Sequence, residues 1–220
     1  MIVKSCRRES LSLEVITLPP KTGQPPKGAI VALHGWGANG EDLASLAPFL
    51  NLPDYEFLFP DGPFPHPHVP GGRTWYDFQK NYGLTESRQL LNEWLTSFER
   101  RTGIPLERTI LSGFSQGGAM TLDVGLNLPL AGLVCLSGYL HPMTQEATNR
   151  NFPPVLILHG RQDSIVPVTA AVKARDILSN LGVAVQYQEF DMGHEVTPAV
   201  LNLMRSFVMQ VMSSTSSKIS

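Results

Sequence analysis

The chain has 220 residues, 42% of them hydrophobic and 16% charged, with a formal net charge of −2, which predicts a single globular domain over residues 1–220. The small net charge gives no electrostatic reason to expect nucleic acid or an anionic membrane as a partner. The two cysteines are too few for a disulfide framework, and no segment resembles a signal peptide or a membrane span, so we expect a cytoplasmic protein without integral membrane association.

Strand-like and helix-like segments alternate along the chain. Continuously apolar runs such as Ala29–Leu33 are typical of strands that are covered on both faces. The alternation predicts an α/β fold with a mostly parallel central sheet and helices on both faces. We expect residues 1–10 and 213–220 to be frayed. The predicted strands span residues 11–18, 29–33, 55–59, 109–111, 133–136, 155–158 and 184–190, and the predicted helices span residues 41–50, 86–101, 118–122, 169–181 and 198–212.

Residues 61–85 form a long segment that is rich in proline and glycine, and its composition predicts no regular structure. Trp75, Tyr76 and Phe78 lie within it. Long loops that carry aromatic side chains in a compact domain are usually functional or fold back over the core. By contrast, the segment from 138 to 153 is too short to form a large lid domain.

The motif G-x-S-x-G occurs at Gly113, Ser115 and Gly117, between an apolar strand-like run and a helix-like segment. At such a junction the motif forms a tight turn, called a nucleophile elbow, which holds the serine hydroxyl out at the end of the sheet. A serine hydroxyl is a weak nucleophile and needs a base, an orienting acid and a site for the oxyanion. In this architecture the acid and then the histidine follow the serine along the chain.

His194 is the predicted base, because it follows the last predicted strand and precedes the last predicted helix. Asp163 is the predicted acid, because it follows the strand-like run 155–158 and so lies at the same sheet edge as Ser115. Its alternative role is that of a helix N-cap, but Thr169 is nearer to the predicted helix and is the better cap. The other candidates fit the order or the location less well: His34, His66, His68, His141 and His159 for the base, and Asp123 (inside a helix) and Glu146 (in a polar loop) for the acid.

The predicted oxyanion hole consists of two backbone amides. One belongs to Gln116, directly after the serine, and the other to Trp36 in the glycine-rich turn that follows the strand-like run 29–33. We predict no metal site, since the close histidine pair His66 and His68 has a proline between its members. We also predict no nucleotide binding, because no phosphate-binding glycine motif follows a strand.

The chain resembles the acyl-protein thioesterase, or phospholipase/carboxylesterase, family of α/β-hydrolases from about residue 28 to residue 212. The resemblance implies cofactor-independent serine esterase chemistry on carboxylic esters or thioesters. It also implies the triad of Ser115, Asp163 and His194 and the oxyanion amides of Trp36 and Gln116. Six ordered segments carry the resemblance: 33–37 (LHGWG), 74–77 (TWYD), 113–118 (GFSQGG), 136–140 (LSGYL), 160–167 (GRQDSIVP) and 192–195 (MGHE).

One position departs from the family pattern. The family usually has leucine where Trp36 stands, beside the acyl pocket, and a bulkier indole would narrow or reshape that pocket. We expect Trp36, Trp75, Ile165 and Val166 to form the apolar wall around the acyl group, in a fairly open site.

The sequence therefore predicts a serine carboxylesterase whose substrate is a small-molecule or lipid ester or an acylated protein. An acyl-protein thioesterase or lysophospholipase with long-chain substrates is the main alternative. A peptidase or amidase, or a catalytically silent binding module of the same fold, is the weaker one. Both a monomer and a homodimer agree with the sequence.

Overall fold

A computed structural model describes residues 12–142 and 151–216 of the chain. The strands in these ranges are β1 (Val15–Leu18), β2 (Ala29–Leu33), β3 (Glu56–Pro60), β4 (Phe64–Pro65), β5 (Arg73–Thr74), β6 (Thr109–Phe114), β7 (Gly132–Leu136), β8 (Val155–Gly160) and β9 (Val185–Phe190). The α-helices in these ranges are α1 (Gly40–Ala44), α2 (Ala47–Leu50), α3 (Leu84–Thr96), α4 (Phe98–Thr102), α5 (Gln116–Gly125), α6 (Val168–Asn180) and α7 (Pro198–Ser216), and Leu106–Arg108 form a 3-10 turn.

Seven of the strands form one sheet in the order β1-β3-β2-β6-β7-β8-β9. Strand β1 pairs with β3 in antiparallel orientation, and the other pairs in this sheet are parallel. Parallel strands need crossover connections, and helices lie in the connections from β2 to β3, from β3 to β6, from β6 to β7 and from β8 to β9. The mostly parallel sheet that the sequence predicts is therefore confirmed.

Successive residues of the central strands face two separate cores. Val31 belongs to the core beneath α3, α5 and α6, whereas its neighbour Ile30 belongs to the core beneath α2 and α7. Because side chains alternate across a strand, a strand with apolar residues at every position must be covered on both faces. Helices on both faces of the sheet, which the apolar runs predict, are confirmed.

Several predicted boundaries differ from the observed ones. The helix predicted over 41–50 is two short helices, since α1 ends at Ala44 and α2 begins at Ala47 with Pro48 in its first turn, where the missing amide is tolerated. The helix predicted over 86–101 is likewise divided at Ser97. Helix α7 continues to Ser216, four residues beyond the predicted end at residue 212. Residues 1–11, Glu146 and residues 217–220 lie outside the described part of the chain.

The segment 61–85 contains regular structure that its composition did not predict. Strands β4 and β5 form a short antiparallel hairpin within it. The hairpin is joined to the turn after β2, because Gly37 N donates to Arg73 O at 2.9 Å and Arg73 N donates to Ala38 O at 2.9 Å. The segment is therefore folded back onto the carboxyl end of the sheet. Among the described residues, no helix combines the length and hydrophobicity needed to cross a membrane.

Candidate active site

Ser115 occupies a strained turn between β6 and α5. Its φ of 54° and ψ of −117° lie outside the regions that residues with a side chain usually adopt. The turn brings the backbone so close together that a Cβ at Gly113 would collide with Gly117, and a Cβ at Gly117 would collide with the carbonyl of Leu33. Strain of this kind persists only where the surrounding structure enforces it, and it is concentrated at functional sites. The two glycines of the motif are therefore required by packing.

Asp163 lies in the turn that follows β8. Its Oδ1 accepts hydrogen bonds from the amides of Ile165 at 2.9 Å and Val166 at 2.8 Å. The carboxylate therefore fixes its own turn and does not cap α6, which begins at Val168 with Pro167 at the N-cap position. The prediction that Thr169 caps this helix is wrong, because Thr169 lies within its first turn.

His194 lies between β9 and α7 and is held by Asp163. Its Nδ1 donates to Asp163 Oδ2 at 2.7 Å, and its ring packs on Phe114, the residue before Ser115, with 4.7 Å between the ring centroids. Burial by itself raises the pKa of Asp163, but hydrogen bonds from His194 and from the amides of Val166 and Ile165 outweigh burial and lower that pKa. Asp163 is thus held as a carboxylate, which can only accept from Nδ1.

A second histidine supports Asp163, in a role that no sequence pattern indicates. His159, at the end of β8, was considered only as a base. It is fully buried, its Nε2 donates to the carbonyl of Val166 at 2.8 Å, and this nitrogen lies 3.5 Å from Asp163 Oδ2. The amide of Val166 in turn donates to Asp163 Oδ1. His159 therefore braces the turn that positions the carboxylate.

The turn after β2 lies directly over the elbow. His34 is buried there, its Nδ1 donates to Gly35 O at 2.7 Å, and its Nε2 accepts from Gly62 N at 2.8 Å. Burial lowers the pKa of His34 and so favours this neutral form. An added Cβ at Gly35 would lie 3.3 Å from Ser115 Cβ, so the backbone next to Trp36 runs past the serine.

The side chain of Gln116 joins the elbow to the hairpin segment. Its Oε1 accepts from Thr74 Oγ1 at 3.0 Å and from the amide of Trp75 at 2.9 Å, and its Nε2 donates to Tyr76 O at 2.8 Å. The indole of Trp75 donates to His34 O at 3.1 Å. This network ties together the three segments that surround Ser115.

Two of the four predicted wall residues are not at the surface of the site. Trp75 and Val166 are buried, so the expectation that they line an open wall is wrong for both. Trp75 is held inside by its hydrogen bond to His34, and Val166 belongs to the Asp163 turn. Trp36 and Ile165 are 46% and 64% exposed, and both can contact a substrate.

Two further aromatic residues accompany Trp36, and neither was predicted to line the site. The ring of Phe78 lies 6.3 Å from that of Trp36, and the ring of Tyr139 lies 5.9 Å from that of Phe78. Phe78 is one of five aromatic residues in the segment 61–85, and this enrichment was the signal in the sequence that could have pointed to it. Tyr139 follows a buried strand, and nothing local distinguishes it from other residues at such positions.

His66 and His68 do not converge as metal ligands do. The Nδ1 of His66 accepts hydrogen bonds from the amides of His68 at 3.1 Å and Val69 at 3.0 Å. The ring of His66 also packs edge-on against Trp36, with 4.2 Å between centroids. Because Nδ1 is occupied by backbone donors, His66 has a structural role in shaping its loop.

Comparison with known proteins gives consistent similarities. The phospholipase/carboxylesterase family matches residues 19–212. Acyl-protein thioesterase 1 of Saccharomyces cerevisiae is 30% identical, over 87% of this chain and 96% of the yeast protein. Among solved structures, esterase PE8 is 31% identical with a TM-score of 0.83, over 91% of this chain and 99% of the esterase. SOBER1 of Arabidopsis thaliana is 26% identical with a TM-score of 0.71, over 84% of this chain and 99% of SOBER1.

Proposed function

The chain belongs to the phospholipase/carboxylesterase family of α/β-hydrolases, and we propose that it is a serine hydrolase that cleaves carboxylic esters and thioesters through an acyl-enzyme on Ser115. The observation that carries the proposal is the 2.7 Å hydrogen bond between His194 and Asp163, beside a serine held in a strained elbow. A base that is oriented by a carboxylate next to such a serine is the arrangement that activates a hydroxyl nucleophile.

The tautomer of His194 determines its role in the first step. Since Nδ1 donates to Asp163, Nε2 of the neutral ring is the nitrogen that can accept the proton of Ser115. As the proton leaves, the serine oxygen attacks the carbonyl carbon and a tetrahedral oxyanion forms. Asp163 stabilises the imidazolium that results, and it remains a carboxylate throughout.

The amides of Trp36 and Gln116 are the proposed donors to the oxyanion. Within residues 12–142 and 151–216, no hydrogen bond uses either amide. Gln116 is the first residue of α5, and the unpaired amides at a helix N-terminus favour a negative charge. Removing one such donor typically costs about 3 kcal/mol of transition-state stabilisation.

Collapse of the tetrahedral intermediate completes acylation. His194 gives its proton to the leaving alcohol or thiol, the bond from the carbonyl carbon to that group breaks, and the acyl group stays on Ser115. Water then loses a proton to His194 and attacks the acyl-enzyme, which releases the acid and restores the serine.

Thioesters are included because of a relative: the yeast protein is named an acyl-protein thioesterase. The exposed side chains of Trp36 and Ile165 offer an apolar surface to the acyl group of either ester type. We therefore propose small-molecule esters, lipid esters and acylated proteins as the substrate class, in the cytoplasm, with no metal or cofactor.

A substrate series tests the proposed function. Wild-type protein is assayed on p-nitrophenyl esters, acyl thioesters and aminoacyl p-nitroanilides, with Ser115→Ala as the control for background hydrolysis. We expect turnover of esters and thioesters that is lost in Ser115→Ala. Faster turnover of the amides would favour a peptidase, and the absence of any turnover would favour a binding module.

A further inference from the structure

Asp123 and His141 form a second carboxylate–imidazole pair, away from Ser115. Asp123 Oδ2 accepts from His141 Nδ1 at 2.6 Å, and the two side chains are only 6% and 7% exposed. The same oxygen accepts from Arg88 Nε at 3.0 Å. Both members of the pair were considered for the triad and set aside, because Asp123 lies inside a helix and His141 comes too early in the chain.

The pair joins three elements that are distant in the sequence. Asp123 lies in α5, Arg88 lies in α3, and His141 lies in the segment that follows β7. A buried carboxylate is costly unless it is paired, and Arg88 supplies the opposite charge. The hydrogen bond from His141 is therefore not needed to balance the charge of Asp123. Instead, this hydrogen bond orients the ring of His141.

The orientation of the His141 ring depends on this one polar contact. Within the described residues, the buried Nε2 of His141 has no hydrogen-bond partner. The ring packs edge-on against Tyr76 and Tyr139, with 5.2 Å between centroids in both cases. A change at Asp123 or His141 therefore acts first on these two tyrosines.

The two tyrosines differ in how firmly they are held. Tyr76 is fixed through its backbone, because its carbonyl accepts from Gln116 Nε2 at 2.8 Å. Among the described residues, Tyr139 makes its side-chain hydrogen bond with the hydroxyl of Tyr76 alone, and its ring contacts Phe78 and His141. Burial raises the pKa of Tyr139 to about 12, so the hydroxyl stays neutral.

Tyr139 leads directly to the exposed part of the site. Its ring contacts that of Phe78, which contacts that of Trp36. Phe78 and Trp36 are 43% and 46% exposed, so these rings form a continuous wall from the buried pair to solvent. A tilt of Tyr139 would change the shape of this wall without moving the elbow.

We propose that Asp123 and His141 are positioning residues that set the shape of the substrate wall by holding Tyr139. The proposal rests on the proposed function, since it assigns the wall of Trp36, Phe78 and Tyr139 to the acyl group. The pair thus controls how well a longer acyl group binds, and it leaves the chemistry at Ser115 unchanged.

The test is a double-mutant cycle read with two substrates. His141→Phe keeps a ring but loses the donor, and Tyr139→Leu removes the wall residue itself. With p-nitrophenyl octanoate, we expect each variant to raise KM about tenfold, the factor that corresponds to about 1.4 kcal/mol of lost binding. For His141→Phe with p-nitrophenyl acetate, whose acyl group extends only one methyl beyond the carbonyl, KM should change less than about twofold, and its kcat should stay near the wild-type value on both esters.

The double variant shows whether His141 acts through Tyr139. If it does, His141→Phe/Tyr139→Leu has the same KM for octanoate as Tyr139→Leu alone.

Arg88→Met is the matched control, because it removes the other partner of Asp123 and leaves the His141 hydrogen bond in place. We expect Arg88→Met to lower the melting temperature and to leave KM for octanoate unchanged.

Three kinetic results would overturn the proposal: additive increases of KM for octanoate in the double variant, an unchanged KM for octanoate in His141→Phe, or an equal loss of kcat on both esters. A crystal structure of His141→Phe gives a readout that does not depend on activity. Displacement of the Tyr139 hydroxyl from Tyr76 supports the proposal, and an unmoved Tyr139 contradicts it. Failure of the wild type to hydrolyse any ester would instead contradict the proposed function, and the position of Tyr139 would still decide the role of the pair.

Discussion

Within residues 12–142 and 151–216, two buried carboxylate–imidazole pairs have nearly the same hydrogen bond, and their different surroundings lead us to propose different roles for them. Asp163 and His194 are joined at 2.7 Å, and Asp123 and His141 at 2.6 Å. Asp163 is held by backbone amides at the end of a strand, whereas Asp123 is paired with Arg88 inside the helical layer. A carboxylate–histidine bond therefore does not by itself identify a catalytic site.

The two pairs differ in what surrounds the imidazole ring on the side that faces away from the carboxylate. The ring of His194 packs on Phe114, the residue before Ser115, and its side chain is 16% exposed, so we propose that its Nε2 exchanges protons with Ser115 and with water. The ring of His141 is enclosed by the rings of Tyr76 and Tyr139. In addition, Arg88 already balances the charge of Asp123, so that carboxylate is less available to stabilise an imidazolium.

The largest expected difference comes from the same substitution in each pair. Asp163→Asn should lower kcat by about 10⁴-fold, because an amide no longer stabilises the required tautomer and imidazolium of His194. Asp123→Asn should lower kcat on p-nitrophenyl acetate by less than about twofold. Steady-state kinetics on purified variants measures both. Similar losses of kcat in the two variants would mean that the pairs are not functionally distinct.

The next largest effect concerns stability. Arg88→Met leaves Asp123 buried with His141 as its remaining partner, and hydrogen bonds to charged groups contribute about 1.5–3 kcal/mol. Since Arg88 is partly exposed, we expect the free energy of unfolding to fall by about 1–2 kcal/mol. Urea denaturation measures this change. A stability equal to that of the wild type would show that Asp123 does not depend on its arginine.

A smaller effect should appear at the exposed end of the wall. Trp36→Leu removes an indole from the wall but keeps the backbone amide that we assign to the oxyanion. We expect the chain-length optimum on p-nitrophenyl esters to move to longer acyl groups, with KM changes of about 10-fold or less per substrate. Identical chain-length profiles of variant and wild type would exclude Trp36 from the acyl pocket.

The smallest effect is a pH dependence of stability that arises at His34. Burial lowers the pKa of His34 below its ordinary value of 6.5, so the unfolded chain binds more protons than the folded chain once the pH falls below that value. The contribution of neutral His34 to the free energy of unfolding is therefore fully present above pH 6.5. It is lost as the pH falls from 6.5 towards the pKa of His34 in the folded protein, by at most about 1.4 kcal/mol per pH unit.

His34→Gln tests this assignment, because its Oε1 can accept from Gly62 in place of Nε2. We expect the variant to lose less stability than the wild type between pH 7.5 and pH 5.5, as measured by urea denaturation at each pH. If the free energy of unfolding changes equally with pH in the two proteins, the acid sensitivity arises from residues other than His34.

The mostly parallel sheet with helices on both faces follows from local patterns, but the contacts around the site do not. Runs such as Ala29–Leu33 are apolar at every position. This is the pattern of a strand that is covered on both faces of the sheet. The burial of Trp75 depends on the carbonyl of His34, a residue 41 positions away. No local pattern signals such a contact, and an aromatic residue in a proline-rich loop is therefore easily taken for an exposed one.

The second pair was equally inaccessible to sequence reasoning. Asp123 and His141 were judged by their place in the chain, and each failed as a triad member. Their partnership depends on the packing of α5 against α3 and on the path of the chain after β7, which brings residues 18 positions apart into contact. Residue type and order can suggest a triad, but only the folded chain brings together the groups that support it.

The most direct test of the account is covalent labelling of the nucleophile. Wild type, Asp163→Asn, Asp123→Asn and Ser115→Ala are treated with a fluorophosphonate, and the modified residue and the rate of labelling are determined by mass spectrometry. We predict one adduct, on Ser115, that forms at similar rates in wild type and Asp123→Asn, far more slowly in Asp163→Asn, and not at all in Ser115→Ala. No adduct on Ser115 in folded wild-type protein, or labelling that is equally slow in both aspartate variants, would contradict the account.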